Sequence, residues 1–559
     1  MDNKRFLTAA VLSLAVIVGF NFLFPSKKPA TTPNGKADSA HIASPATTTN
    51  TSTATAGANP SVSADSTHTP APTAETTTIA VRKDSGATFT LTNMGATPVS
   101  AIMNAYDNRS KPGTKVDLVA GKSLIKYSYV TNQKAQIDLS TVPFSTQRLG
   151  DTLLYSASIP GTPGTLSLRY TPLPDGHTFH VTATVAGVDG GYLAVHMPET
   201  FDVVERDSAA DLRAFAYSYN SKHDGARSIL FQSLDPGEKK LVEGPITWVA
   251  AKSKYFVVGL LTPKNGTPFD EVDLVGGARV SKTATQGQAM VAVPVKNGTA
   301  AFDVYAGPQE WRRLHNLERD FDHVNPYGWA IFRGVLQPIA TSVIRLVLWM
   351  HRELNLTYGL VLIALGVLIR IILWPLNQSA MRNSLKMQAL QPQLQALQTK
   401  YKDNPEKQRT EMMKVYADHN MSPLSPILGC LPMLIPMPIL LALFFVFQNT
   451  IEFRGVSFLW LNDLSAHDPL FILPVIMAAS MYVLSWLGMR NTPPNPQAKI
   501  MSYMMPGMFL IFLGKAAAGL NLYYAAQNIA ALPQQWLLTR NKAKVQNATT
   551  TPASAKKKS

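Results

Sequence analysis

Residues 356–376 read LTYGLVLIALGVLIRIILWPL, an apolar run interrupted by a single charge, Arg370. As a helix this run covers about 31 Å, enough to cross the hydrocarbon core of a bilayer. Working outward, 427–447, 469–487, 500–514 and 517–536 carry similar runs. At the start of the chain, 6–24 (FLTAAVLSLAVIVGFNFLF) follows Lys4 and Arg5. That run exceeds the roughly 7–15 apolar residues of a secretory signal and ends in Phe24-Pro25 without a small-residue cleavage pattern. It is expected to remain as an anchor over 1–25. The fold class that follows is a polytopic α-helical membrane protein with six transmembrane helices.

Charge tests the topology. The 377–426 connection holds seven Lys or Arg, 488–500 holds Arg490 and Lys499 with no acid, and the tail carries Arg540, Lys542, Lys544, Lys556, Lys557 and Lys558. On the other side, 449–468 sets Arg454 against Glu452, Asp463 and Asp468. Basic residues gather on the cytoplasmic side of short connections. Both termini are therefore expected in the cytoplasm, with a basic tail over 541–559. The net charge of +15 is accounted for in this way, since no basic stripe with interleaved aromatics suggests nucleic-acid recognition.

The first half differs. Residues 26–75 are Thr, Ala, Ser and Pro with few large apolar side chains, too little to offset ordering entropy, and are expected to form a disordered periplasmic tether. From 76 short alternating runs begin, including Thr152–Ile159, Thr165–Tyr170, Thr178–Val185 and Ala301–Tyr305, separated by turns such as Asp189-Gly-Gly191. They predict a periplasmic β-sandwich domain over 76–322, closed by a charged helix from Glu310 to about Asp322. The sole cysteine, Cys430, rules out a disulfide framework. Residues 335–352, within a 323–355 segment, read as an amphipathic helix on the outer surface.

Arg370 carries the functional question. It lies about 9 Å from the inner end of its span. A snorkelling arginine is the plain reading. Gly359, Gly366 and Asn377 fall near the same helix face, however, and a small and polar stripe around a cation points to a wet cavity, because charge in hydrocarbon is costly. In the last span Asn521, Tyr524 and Asn528 fall within an arc of roughly 60°, with Tyr523 and Gln527 nearby. They suit either interhelical hydrogen-bond glue or an opposite cavity wall. Prolines 432, 436, 438, 474 and 506 interrupt three spans, and the short 500–514 span is expected either to thin the bilayer locally or to extend over 498–517 through tilt and irregular ends.

Residues 377–426 form a cytoplasmic helical hairpin. Met387, Leu390, Leu394, Leu397 and Tyr401 make a coiled-coil seam, and Met412, Val415, Tyr416 and His419 face it. Pro392 is expected to kink the first arm. Fourteen of the 20 methionines follow residue 376, gap-fillers that also suit varied apolar clients. His177 and His180 point to opposite faces of a strand and are rejected as a metal pair. No phosphate-cradling loop, zinc-protease motif or nucleophile elbow is present, so no enzyme, cofactor or metal is expected.

Several ordered motifs resemble the YidC insertases: residues 370–377 (RIILWPLN), Ser384 to Met387, Leu390 to Pro392, Gly429 to Pro432, Glu452 to Arg454, Asp463 to Ser465 with Asp468-Pro469, and Gly519 to Tyr524. Upstream, Trp248, Lys254 to Phe256 and Gly307-Pro308 with Glu310 resemble the end of that family's Gram-negative periplasmic domain. The likeness covers roughly 246–540. It implies a periplasmic all-β super-sandwich like that of sugar mutarotases, without sugar chemistry. It also implies a bacterial inner-membrane insertase core over 356–540 with a hydrophilic client groove. Arg370 would be the groove arginine, with Gly366, Gly359, Asn377, Asn521, Tyr524 and Asn528 around it. Implied partners are nascent membrane proteins, the Sec translocon, membrane lipids and, through the hairpin and tail, the ribosome. The chain departs from the family pattern at Gly366, where a polar residue is frequent, and in the longer 422–428 junction. Two other readings are a secondary transporter binding a small anion at Arg370, and a periplasmic binding or chaperone module tethered by the spans.

Overall fold

The structure, a computed structural model, describes residues 74–80, 85–119, 122–188, 190–280, 283–325, 327, 332–375, 378, 390, 393–402, 404–418, 437–489 and 496–550. The anchor at 6–24 and the tether lie outside the described residues, apart from positions 74 and 75, as do Asn377, Met387, Pro392, His419 and Cys430.

Alternation builds the β-domain. In Thr165–Pro172 the buried residues are Leu166, Leu168 and Tyr170; in Thr178–Ala186 they include Phe179, Val181, Ala183 and Val185. Antiparallel register sets Val181 opposite Tyr170 on one side and Phe302 on the other. The described strands form a four-stranded sheet, a 14-stranded sheet and a two-stranded ribbon. The path through the large sheet runs over twelve strands, from Gln136–Asp138 to Ser145–Leu149, which are consecutive in the chain. Laid flat, those ends would stand about 50 Å apart. The connection 139–144 reaches only about 25 Å at full extension. The sheet must therefore curl back over itself. Tyr127, near one end of the path, meets Tyr170, near the other, hydroxyl to hydroxyl at 2.6 Å. One apolar core fills the space between the layers.

The strand Phe256–Leu261 is buried on both faces, and its second face is covered by Trp248, Leu314, Phe321 and Val324. That cover replaces the long charged helix expected over 310–322. After α1 (Ser208–Arg213), the helix α2 spans only Trp311–Asn316. Glu318, Arg319 and Asp320 then take left-handed φ angles of 61°, 57° and 58°. Each such residue costs roughly 1–2 kcal/mol. Offsetting contacts hold the turn: Trp248 Nε1 donates to the Arg319 carbonyl at 3.0 Å, and Arg319 pairs with Asp303 at 3.0 Å. The turn also drives the Phe321 ring onto Gly259, where a Cβ would lie 2.5 Å from the ring.

The helical half comprises α3 (Arg333–Glu353), α4 (Tyr358–Ile372), α5 (Pro405–Asp418), α6 (Met437–Asn449), α7 (Ile472–Met489), α8 (Pro496–Leu513) and α9 (Ala518–Thr550). The amphipathic α3 buries Leu336, Ala340, Val343, Ile344 and Val347 and packs mainly on α6. Its opposite face exposes Val335, Arg345 and Trp349.

Among the described residues, α7 alone is long and apolar enough to cross a membrane; Tyr358–Ile372, Pro438–Asn449 and Ser502–Leu513 are shorter apolar helices. Pro474 does not interrupt α7. It sits in the first turn, where no intrahelical N–H is required, and the buried Asp468 carboxylate accepts from the Leu470 and Leu473 amides at 3.0 and 2.8 Å. Helix α8 has 18 residues, about 27 Å, because it starts at Pro496, but its apolar part, Ser502–Leu513, is short as expected. In the hairpin region Leu390 and Leu394 pack with Tyr416, Met412 and Val415. Asn404 caps α5 by accepting from the Lys407 amide at 3.1 Å, with Pro405 as first helical residue.

Candidate functional site

Arg370 lies in the last turn of α4, half-buried, with its Nε buried and without a hydrogen-bond partner among the described residues. Helix α4 runs along α9, and two contacts bracket the arginine. One turn earlier, a Cβ on Gly366 would stand 3.0 Å from the Tyr523 carbonyl oxygen and 3.2 Å from the Gln527 amide nitrogen. One turn later, the Trp374 carbonyl accepts from Gln534 Nε2 at 3.3 Å. The seam thus closes on either side of Arg370.

This geometry corrects the small-residue stripe. Gly366 is a helix-packing contact, because another backbone occupies the space a side chain would take. Gly359 is covered by a ring: its Cβ would fall 2.1 Å from Phe458 Cδ2. Neither glycine faces open space, so the wet-cavity reading of the stripe does not extend to them. Asn377, the third member, lies outside the described residues.

The Asn521, Tyr524 and Asn528 arc also divides. Asn521 is fully buried and donates through Nδ2 at 3.0 Å to the Leu513 carbonyl at the end of α8, which also accepts from the Ala516 amide at 3.0 Å; its Oδ1 has no partner among the described residues. Asn528 donates to Ser480 Oγ on α7 at 3.1 Å. Both make interhelical ties, one of the two readings left open above. Tyr524 is 9 % exposed, its hydroxyl is buried and unpartnered, and its ring meets Tyr523 edge-on. The face of α9 that meets α4 is the neighbouring one, carrying Tyr523, Gln527 and Gln534. Sequence reasoning missed Gln534. Its available signal was weak, a polar residue seven positions after Gln527, on the same helix face, just before the polar end of α9.

A second polar region joins the β-domain to the α6–α7 connection. Arg454 Nε meets Glu205 Oε1 at 2.7 Å, with side chains only 3 % and 8 % exposed, and Arg454 also donates to the Asp107 carbonyl at 2.9 Å. Arg109 pairs with Asp463 at 3.1 Å and lies flat on Gly455, whose φ is +75°. Glu452 accepts from the Trp311 amide at 3.4 Å. Burial, reinforced by the nearby Glu310 charge, pushes the Glu452 carboxyl up to about 7.

Elsewhere in the β-domain, His180 is held by Asp303 at 2.7 Å, while His177 is 1 % exposed and pushed down to about 4 by burial. Asp320, Asp322 and His323 bring ligand-type atoms within 4.8 Å of one another, but Asp322 is already engaged by His315 at 3.1 Å. A polar cavity of about 320 Å³ is lined by Lys126, Ser128, Asp138, His196 and Glu199 among others.

Two family models match the chain in order: the YidC periplasmic domain over residues 78–341 and the 60Kd inner membrane protein family over 349–546. The membrane protein insertase YidC of Anaeromyxobacter dehalogenans strain 2CP-C is 31 % identical over 580 residues, 99 % of each chain. That of strain 2CP-1 is 32 % identical over 577 residues, covering 99 % of this chain and all of the relative. A solved structure of an active YidC insertase is 17 % identical and covers 82 % of this chain and 92 % of its own, with a TM-score of 0.33. A galactose mutarotase related enzyme from Lactobacillus acidophilus is 9 % identical over 42 % of this chain and 97 % of its own, at 0.29. Neither structural likeness carries an argument. With relatives above 30 % identity along 99 % of its length, this chain belongs to the YidC family of membrane protein insertases.

Proposed function

We propose that this insertase works by admitting the polar part of a client at Arg370, beside the α4–α9 seam, while the client's apolar helix passes into lipid. The family assignment makes the protein a non-enzymatic insertase of the inner membrane that acts on nascent membrane proteins. The observation that supports the role of Arg370 is a guanidinium with no ion pair or hydrogen bond among the described residues, unlike Arg109, Arg319 and Arg333, whose Nε atoms are also unpartnered but whose outer nitrogens are engaged. A cation in a membrane costs several kcal/mol unless water or counter-charge answers it, so a client's acidic or polar group has a place to bind. The remaining transfer is downhill by about 0.3–0.6 kcal/mol per large aliphatic residue, and the protein need only lower a barrier.

The same reading places six spans across the membrane, with both ends and the 377–426 hairpin in the cytoplasm, the tether at 26–75 and the β-domain at 76–322 in the periplasm. The distribution of Lys and Arg supports it. The hairpin and the basic tail are proposed to meet the ribosome or anionic lipid, and the Sec translocon to assist some clients; family resemblance supports these partners.

The test replaces Arg370 and follows a client with an acidic translocated tail. Arg370→Ala is expected to lower its insertion at least fivefold, and Arg370→Lys to retain part of the activity if charge suffices. Unchanged insertion by Arg370→Ala, with the variant present at normal level in the membrane, rejects the proposed role.

A further inference from the structure

Gln534 is 2 % exposed. Its Nε2 is used by the Trp374 carbonyl, but its Oε1 is buried without a partner. Such an acceptor is destabilising, a cost that a leucine at this position would avoid. Arg370, four residues before Trp374, presents a buried Nε that is likewise without a partner among the described residues. This stretch of the seam therefore combines an unfilled donor on one helix with an unfilled acceptor on the other. A carboxylate would satisfy Arg370 and face the lone pairs of Gln534. A group carrying both a carbonyl and an N–H would satisfy the two together.

We propose that Gln534 is a specificity-determining residue which, with Arg370, makes this site a receptor for the side-chain amides of client Asn and Gln. The inference rests on the reading of Arg370 as a client-facing group. It adds a second residue to that reading, and a preference among clients.

The full-length chain in proteoliposomes is given three clients that differ at one translocated position, carrying Asn, Asp or Ala. Gln534→Leu is expected to lower insertion of the Asn client threefold or more, and to change the Asp and Ala clients less than twofold. An equal change in all three, or none for the Asn client, overturns the inference and leaves Gln534 as a tie to Trp374. If the leucine variant does not accumulate, Gln534→Met repeats the comparison with the same expectations. Arg370→Ala is run alongside. Its loss of the Asp client upholds the Arg370 reading whatever Gln534 does, whereas full insertion of both polar clients by Arg370→Ala sinks both ideas.

Discussion

Arg454 and Arg370 are the same residue type withdrawn from water in two ways. Arg454, between the β-domain and the α6–α7 connection, is answered by the Glu205 carboxylate and the Asp107 carbonyl. Arg370, on the α4–α9 seam, has an Nε answered by nothing in the described chain. A buried cation satisfied internally belongs to the architecture, since removing its partner leaves an uncompensated charge. One left unsatisfied costs stability and leaves a place for something that arrives later. The difference teaches that neither burial nor one unpartnered Nε sets a charge apart, since Arg109, Arg319 and Arg333 share that feature while their outer nitrogens are engaged; the proposal for Arg370 rests on a guanidinium with no ion pair or hydrogen bond among the described residues.

The largest effect should come from breaking the satisfied pair. Glu205→Ala is expected to cost about 3–5 kcal/mol in denaturant unfolding, while Glu205→Leu combined with Arg454→Met regains most of it. Arg370→Ala should leave stability unchanged or raise it while impairing insertion. A comparable stability loss for both arginine sites would erase the contrast. Next, Gly366→Leu is expected to cost about 1–3 kcal/mol by overpacking against the α9 backbone, read as a lower Tm in detergent. No loss there would return Gly366 to the list of cavity-lining residues.

A smaller effect concerns pH. Because burial holds the Glu452 carboxyl at about 7, the folded state binds its proton more tightly than the unfolded chain. Stability from this group is greatest below the ordinary carboxylate range and falls as pH rises through about 7. Discounted for the partial exposure of the side chain, the swing should be about 1 kcal/mol. Glu452→Gln should flatten it, and an unchanged Tm-against-pH curve would show that Glu452 is better solvated than its position implies. Smallest, Asn528→Leu should cost about 0.5–1 kcal/mol through the lost Ser480 bond and leave insertion intact. A selective insertion defect would move Asn528 from the architectural class to the functional one.

What could be read in advance followed from periodicity. Leu166, Leu168 and Tyr170 declare a strand because alternate residues must point inward, and the apolar run within 356–376 declares a helix, found over Tyr358–Ile372. Asn521 and Asn528 could be read as polar ties or as a cavity wall, and only the partners at Leu513 and Ser480 decide it. Gly359 and Gly366 misled because a missing side chain looks the same in sequence whether water, a ring or a helix backbone takes its place. The left-handed turn at 318–320 was invisible since it contains no glycine; distant groups, Trp248 and Asp303, stabilise it. Gln534 was hidden by its position near the polar end of α9.

The curled sheet has a consequence for a protein that works beside unfolded chains. A free strand edge is a template on which a stray segment can pair. Here the two ends of the long path are strands of only three and five residues, one ending and the other beginning at the same connection, 139–144. That connection is itself pinned, with Phe144 donating to the Asn93 carbonyl at 2.9 Å and Gly95 to the Val142 carbonyl at 2.8 Å. By drawing its ends together, the sheet leaves little backbone there for an emerging client to capture by mistake.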